Sequence, residues 1–316
     1  PLGPAQLLSL ARSPAPPSTR AELLTLAAER ARATGLRSIE TEALLDLAAD
    51  PATRTPEVLT ALDRSTRGGG SAGLHPELIE WLEACPPLGV LAQRRRAEQT
   101  ARSGDHARAA ELAERALALA DSPSDQVLAL STLASTALYR ADWTSAEAAL
   151  SRATAALGTA AIDDTEELAR LDHNRGVVAL YRGRLDEARD AFERSLRAKR
   201  AMGDRGGTWA CLLNLALAEG QLGQFAPAEE ALVEAVATCR ALGQLSGAGW
   251  CLAALADVAL RRGDPVAAER WVAEAEHLGD VVPKPVHADL ALLRSELALT
   301  AGDGQRALGA LDAVDP

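Results

Sequence analysis

The sequence predicts an all-α chain, a solenoid of antiparallel helix pairs with an additional N-terminal helical segment. Three observations carry that prediction. A glycine or alanine at a turn is followed five residues later by alanine six times over, at Gly104, Ala141, Gly183, Gly223, Gly263 and Gly302, and the steps stay near 40 residues. Residues of small volume recur at two further fixed offsets. The composition, 47% hydrophobic but 3% aromatic over 316 residues, provides a core built mostly from aliphatics.

Along the chain, residues 1–19 read as a flexible leader or tag remnant, because Ser13 to Ser18 has three prolines and no periodicity. Residues 20–88 read as an N-terminal helical region. Ala21 to Thr34 and Ile39 to Ala49 carry leucines at helical spacing, Pro56 opens a helix with Val58, Leu59 and Leu62 on one face, and Pro76 to Ala84 forms another. Gly68 to Ser71 is a linker. Residues 89–316 hold six helical hairpins, since about 40 residues accommodate two four-turn helices and their turns.

Within each hairpin the small residues explain the packing. Seven positions before the turns stand Ala97, Ala134, Gly176, Ala216, Ala256 and Ser295, all small; twelve after them stand Ala116, Ala153, Ser195, Ala235, Ala275 and Val314, five of them small. Small side chains at a crossing let two helix axes approach closely. Nine after the turn, Leu150, Phe192, Leu232, Val272 and Leu311 fill the space toward the next hairpin.

Charge and motifs exclude several functions. Forty-four acidic against 33 basic residues give a net charge of −11, the wrong sign for gripping a phosphate backbone, so no nucleic acid partner is expected. No apolar run is long enough to span a membrane. Cys85, Cys211, Cys239 and Cys251 form no Cys-x-x-Cys pair and read as reduced thiols of a cytoplasmic protein. Hydrolase, phosphate-loop and metalloprotease motifs are missing, and the five histidines are scattered, so the segment reads as non-enzymatic, with no cofactor and no metal. Thirty-one of the basic residues are arginine, which points to a GC-rich bacterial genome. The chain starts at Pro1 and its single methionine is Met202, so a longer parent protein is expected.

The repeated unit, as in Gly183-Arg-Leu-Asp-Glu-Ala188 with Phe192 or Gly223-Gln-Phe-Ala-Pro-Ala228 with Leu232 and Ala235, resembles the tetratricopeptide repeat. The period near 40 is similar to the longer variant in kinesin light chains and bacterial regulators. Two features depart from the family pattern. Thr100, Ala137, Ala179, Glu219, Ala259 and Ala298 replace the large aromatic four residues before the turn, and Arg96 and Arg175 replace leucine eight before it. The resemblance implies a right-handed superhelix whose first helices line a concave groove at 13, 10, 9, 6 and 2 residues before each turn.

That register picks out the candidate binding residues. Asn174 and Asn214 are equivalent, nine before their turns, and either clamp the backbone of an extended peptide or bond within their own helix pair. Tyr139 and Tyr181, two before theirs, are either binding-surface aromatics or core. His173 lies beside Asn174. Arg94, Arg95, Arg102 and Arg261 are groove cations, with Asp257 six before its turn, and they either receive partner carboxylates or pair with acids such as Glu98. Trp209 and Trp250 read as joins between hairpins, and Cys211 and Cys251 as equivalent core positions. The implied partner is a protein or extended peptide, including another domain of the same chain. The alternative is an autoinhibitory or oligomerising segment of an effector enzyme, a caspase-like protease or signalling ATPase, making intramolecular contacts. Leu308 and Leu311 at the end of the chain admit a homodimer.

Overall fold

In the computed structural model, residues 2–13, 16–34, 37–66, 76–158 and 165–312 are described; they contain seventeen α-helices and no strand. Gly68 to Ser71 and Val314 lie outside them. The helices divide into two compact units, Pro1–Arg140 and Ala141–Pro316.

The first unit contains α1 (Pro4–Ala11), α2 (Pro17–Ala33), α3 (Arg37–Ala49), α4 (Pro56–Thr66), α5 (Pro76–Glu83), α6 (Gly89–Arg102), α7 (His106–Ala118) and α8 (Pro123–Tyr139). Four helices of the N-terminal region were legible, but α1 falls where a flexible leader was expected. Pro4 sits at its first position, where its missing N–H costs nothing. Leu7, Leu8 and Ala11 then share one face and join Leu24, Leu44, Leu47, Leu59 and Leu62 in a single core. Burial of that face fixes a segment too short to be helical alone.

The expected boundary at residue 88 is also absent. Arg95 of α6 reaches back to Asp63 of α4, which is fully buried, with Nη2 donating to Oδ2 at 2.9 Å and Nε to Oδ1. A buried ion pair of this kind cannot be parted without stranding a charge in the core, so α4 and α6 belong to one body.

The second unit contains α9 (Trp143–Leu157), α10 (Thr165–Tyr181), α11 (Leu185–Ala201), α12 (Arg205–Gln221), α13 (Phe225–Ala241), α14 (Leu245–Arg262), α15 (Pro265–Glu276), α16 (Lys284–Thr300) and α17 (Gly304–Asp312). Helices adjacent in sequence pack as pairs, and α10, α12, α14 and α16 also touch in succession. The six turn positions all have positive φ, from 53° at Ala141 to 91° at Gly104. In this conformation the residue after the turn donates its N–H five residues back, as Arg184 does to Ala179 and Gln224 to Glu219, both at 2.8 Å, closing the carbonyl end of the helix. Asp142, Asp204 and Asp264 then cap the helices that follow.

The small-residue positions form the seam. All six alanines five after the turns and all six small residues seven before them are buried. Gly176 shows why volume is limited there: a Cβ would lie 2.5 Å from the Phe192 ring. Phe192, Leu232 and Val272 are fully buried in their filler slots, whereas Leu311 is exposed. Trp209 and Trp250 pack half-buried against this core.

Candidate protein-interaction surface

The turn register decides which side chains the first helix of each pair leaves uncovered. In the second unit these helices are α10, α12, α14 and α16. Leu213 lies ten before its turn, Val177 and Leu217 six before theirs, and Trp250 thirteen before; all four pack against the core while staying partly accessible. Asp257 and Arg261, one helical turn apart on α14, pair at 3.2 Å. On α16, Asp289, Leu292, Glu296 and Leu299 share one face at positions i, i+3, i+7 and i+10 and are all exposed, Leu292 by 59% and Leu299 by 62%.

The asparagine position proves different from the expected open ladder. Asn174 is buried, 5% exposed, and Asn214 is half-buried. Position nine before the turn faces the neighbouring helix pair, so Thr132, Ala254 and Leu293 in equivalent slots are buried too. Asn214 Nδ2 lies 3.4 Å from His173 Nε2, His173 Nδ1 lies 3.2 Å from Cys211 Sγ, Cys211 donates to Ser195 Oγ at 3.3 Å, and Ser195 donates to the Ala169 carbonyl at 2.7 Å. This relay ties α10, α11 and α12 together. Burial, assisted by the Lys199 charge, pulls the His173 imidazole down to about 4. Burial pushes the Cys211 thiol up, against the smaller opposing effect of its hydrogen bond with Ser195. A neutral imidazole beside a protonated thiol is the reverse of the ion pair that activates a nucleophilic cysteine.

The tyrosines are surface residues, not core. Tyr181, 64% exposed, stacks on Trp143 with ring centroids 4.0 Å apart and planes at 15°. In the first unit Tyr139, 59% exposed, stacks parallel to His106 at 5.6 Å. A ring supported on one face and open on the other is preorganised for contact at low entropic cost.

The arginines of the first unit are committed internally. Arg94 is buried and its Nε donates to Thr132 Oγ1 at 3.0 Å. Burial opposes the charge on Arg95, but Glu98 and Asp63 outweigh it and hold the guanidinium above its ordinary range. These two are scaffold contacts and not receivers of partner carboxylates. The Arg102 side chain lies outside the described residues. The structure therefore brings Asn214 and His173 together, keeps Tyr181, Asp257 and Arg261 accessible, and withdraws Asn174, Arg94 and Arg95. Sequence reasoning missed Asp289, Leu292 and Glu296, although the same offsets from Gly302 point to all three.

The Tetratricopeptide repeat family profile matches residues 167–241, from the first turn of α10 to the end of α13. Residues 167–241 are tetratricopeptide repeats. No curated protein matches the chain. Among solved structures, a signal transduction ATPase with numerous domains and a tetratricopeptide repeat sensor, from Pyrococcus horikoshii, is 16% identical with a TM-score of 0.58; the alignment covers 99% of this chain and 48% of that one. NprR in complex with its cognate peptide NprX is 12% identical, with a TM-score of 0.58 over 86% of this chain and 75% of that one. BtubC from P. vanneervenii is 21% identical, with a TM-score of 0.51 over 69% and 89%. At these identities the likeness is one of fold. Tetratricopeptide repeats are a protein-interaction module, and among the described residues no helix is long and apolar enough to cross a membrane and no group of side chains is arranged to hold a metal ion.

Proposed function

We propose that the inner face of α10, α12, α14 and α16 recognises an extended peptide segment, belonging to another protein or to another part of the same polypeptide. The observation that carries this reading is the row of partly accessible apolar side chains, Val177, Leu213, Leu217 and Trp250, along helices whose other faces are packed. Apolar side chains left open in a row on a preformed surface gain free energy when a ligand covers them, at about 25 cal/mol per Å² buried, and the rigid repeats lower the ordering cost on the receptor side. Tyr181 on its Trp143 support, Asp257 and Arg261 supply the flanking polar and aromatic contacts. The NprR complex, of the same fold, provides a precedent for peptide recognition.

The test is selection of peptides from a phage-displayed library on the wild-type chain, followed by measurement on Leu217→Asp and, as a control on α13, Val233→Asp. A carboxylate in the apolar row should abolish binding, and the same change at the exposed Val233 should leave it intact. Equal binding to all three proteins would move the interface off this face.

A further inference from the structure

The second unit pairs its surface acids with arginine almost throughout: Glu147 meets Arg184, Asp172 meets Arg194, Glu234 meets Arg200 and Glu276 meets Arg294. The exposed face of α16 departs from that habit. Asp289 and Glu296 have no ion-pair partner among the described residues, and between and beyond them stand Leu292 and Leu299, the exposed leucines of the same face. Across the contact with α14 lies Asp257, close enough that its charge, after burial, raises the Asp289 carboxyl. The result is a stripe in which carboxylates alternate with leucines, continuous in register with the apolar row of α10, α12 and α14.

We infer that this end of the groove takes a cationic amphipathic segment, one in which lysine or arginine alternates with apolar side chains. The inference rests on the groove reading above and adds the chemistry of the ligand. Leu292 and Leu299 provide apolar area, while Asp289 and Glu296 provide the charges that a lysine or arginine satisfies. An acidic peptide would place like charges together, which is costly at an interface. A second copy of this chain is disfavoured on the same ground, because an isologous contact sets each stripe against itself and each chain carries a net charge of −11.

The experiment is fluorescence anisotropy on the full 316-residue chain with three labelled peptides of about 12 residues, repeating Leu-Lys-Ser, Leu-Glu-Ser or Ser-Lys-Ser, at about 50 and about 300 mM salt. The Leu-Lys-Ser peptide should bind at least about tenfold tighter than either other peptide, and more weakly at high salt. Asp289→Asn/Glu296→Gln should weaken it about five- to tenfold. Asp186→Asn/Asp190→Asn, which removes the same charge from α11, should not. Equal binding of the Leu-Lys-Ser and Leu-Glu-Ser peptides, both lost in Leu217→Asp, would overturn the cationic assignment and leave the groove standing. Binding that survives Leu217→Asp, or no binding of any peptide, would overturn both. Sedimentation showing a dimer that Leu292→Asp dissociates would give the stripe to a second copy and overturn the inference.

Discussion

Glu219 occupies the slot four residues before its turn where the family carries an aromatic, and it is buried, 8% exposed, with Oε2 lacking a hydrogen-bond partner. Burial, with Glu193 and Glu230 adding repulsion against the weaker attraction of Arg189, raises its carboxyl from 4.5 to about 7. The native state therefore holds a proton that the unfolded chain releases near pH 4.5. The linked stability is full below that pH and is lost as pH rises toward 7. A tenfold difference in proton affinity between the folded and unfolded chain is worth about 1.4 kcal/mol, so the ionised side chain costs on the order of 3 kcal/mol at pH 8. Glu219→Gln keeps the shape and removes the charge. Urea denaturation followed by circular dichroism at 222 nm, on both proteins from pH 4 to pH 8, should show little difference at the acid end and an advantage of about 3 kcal/mol for the variant at the alkaline end. An advantage that stays constant across the range would refute the assignment of a neutral native carboxyl.

Three further outcomes follow from the packing. Asp63→Ala should destabilise the first unit by about 3 kcal/mol, because Arg95 remains buried with Glu98 alone; the double variant Asp63→Leu/Arg95→Met should recover most of that loss in urea melts. Gly176→Ala should cost about 1–2 kcal/mol despite alanine's better helix propensity, since the new methyl meets the Phe192 ring, and Phe192→Leu in the same chain should relieve part of it. His173 has its native pKa lowered to about 4, so its contribution is present above pH 6.5 and is lost as pH falls toward 4, by as much as about 3 kcal/mol. His173→Gln should flatten that acid limb, and an unchanged acid limb in the variant would remove His173 as its cause.

The binding register was legible only in part, for a geometric reason. Offsets from a turn fix where a Cβ points on its own helix, and at those offsets Tyr181 and the α14 pair Asp257 and Arg261 are accessible. The same offsets do not say how far the neighbouring pair advances over that face, and it advances far enough to bury Asn174. Charge was harder still. Arg95 and Arg261 look alike in sequence, but one neutralises a buried aspartate from a helix some thirty residues earlier and the other lies at the surface beside its own i−4 partner.

What the sequence determined by itself was local: the all-α class, the six turns with positive φ, and the seam of small residues, all set by backbone sterics and side-chain volume within one helical pair. Tertiary structure decided what depends on distant partners. It made a helix of residues 4–11 by burying three of its side chains, moved the unit boundary past α8 through contacts such as Arg95 with Asp63, and turned His173 and Asn214 from groove residues into members of an internal relay. Such contacts join residues about 30 to 40 positions apart, and their energy depends on burial, which becomes defined only when the helices have packed.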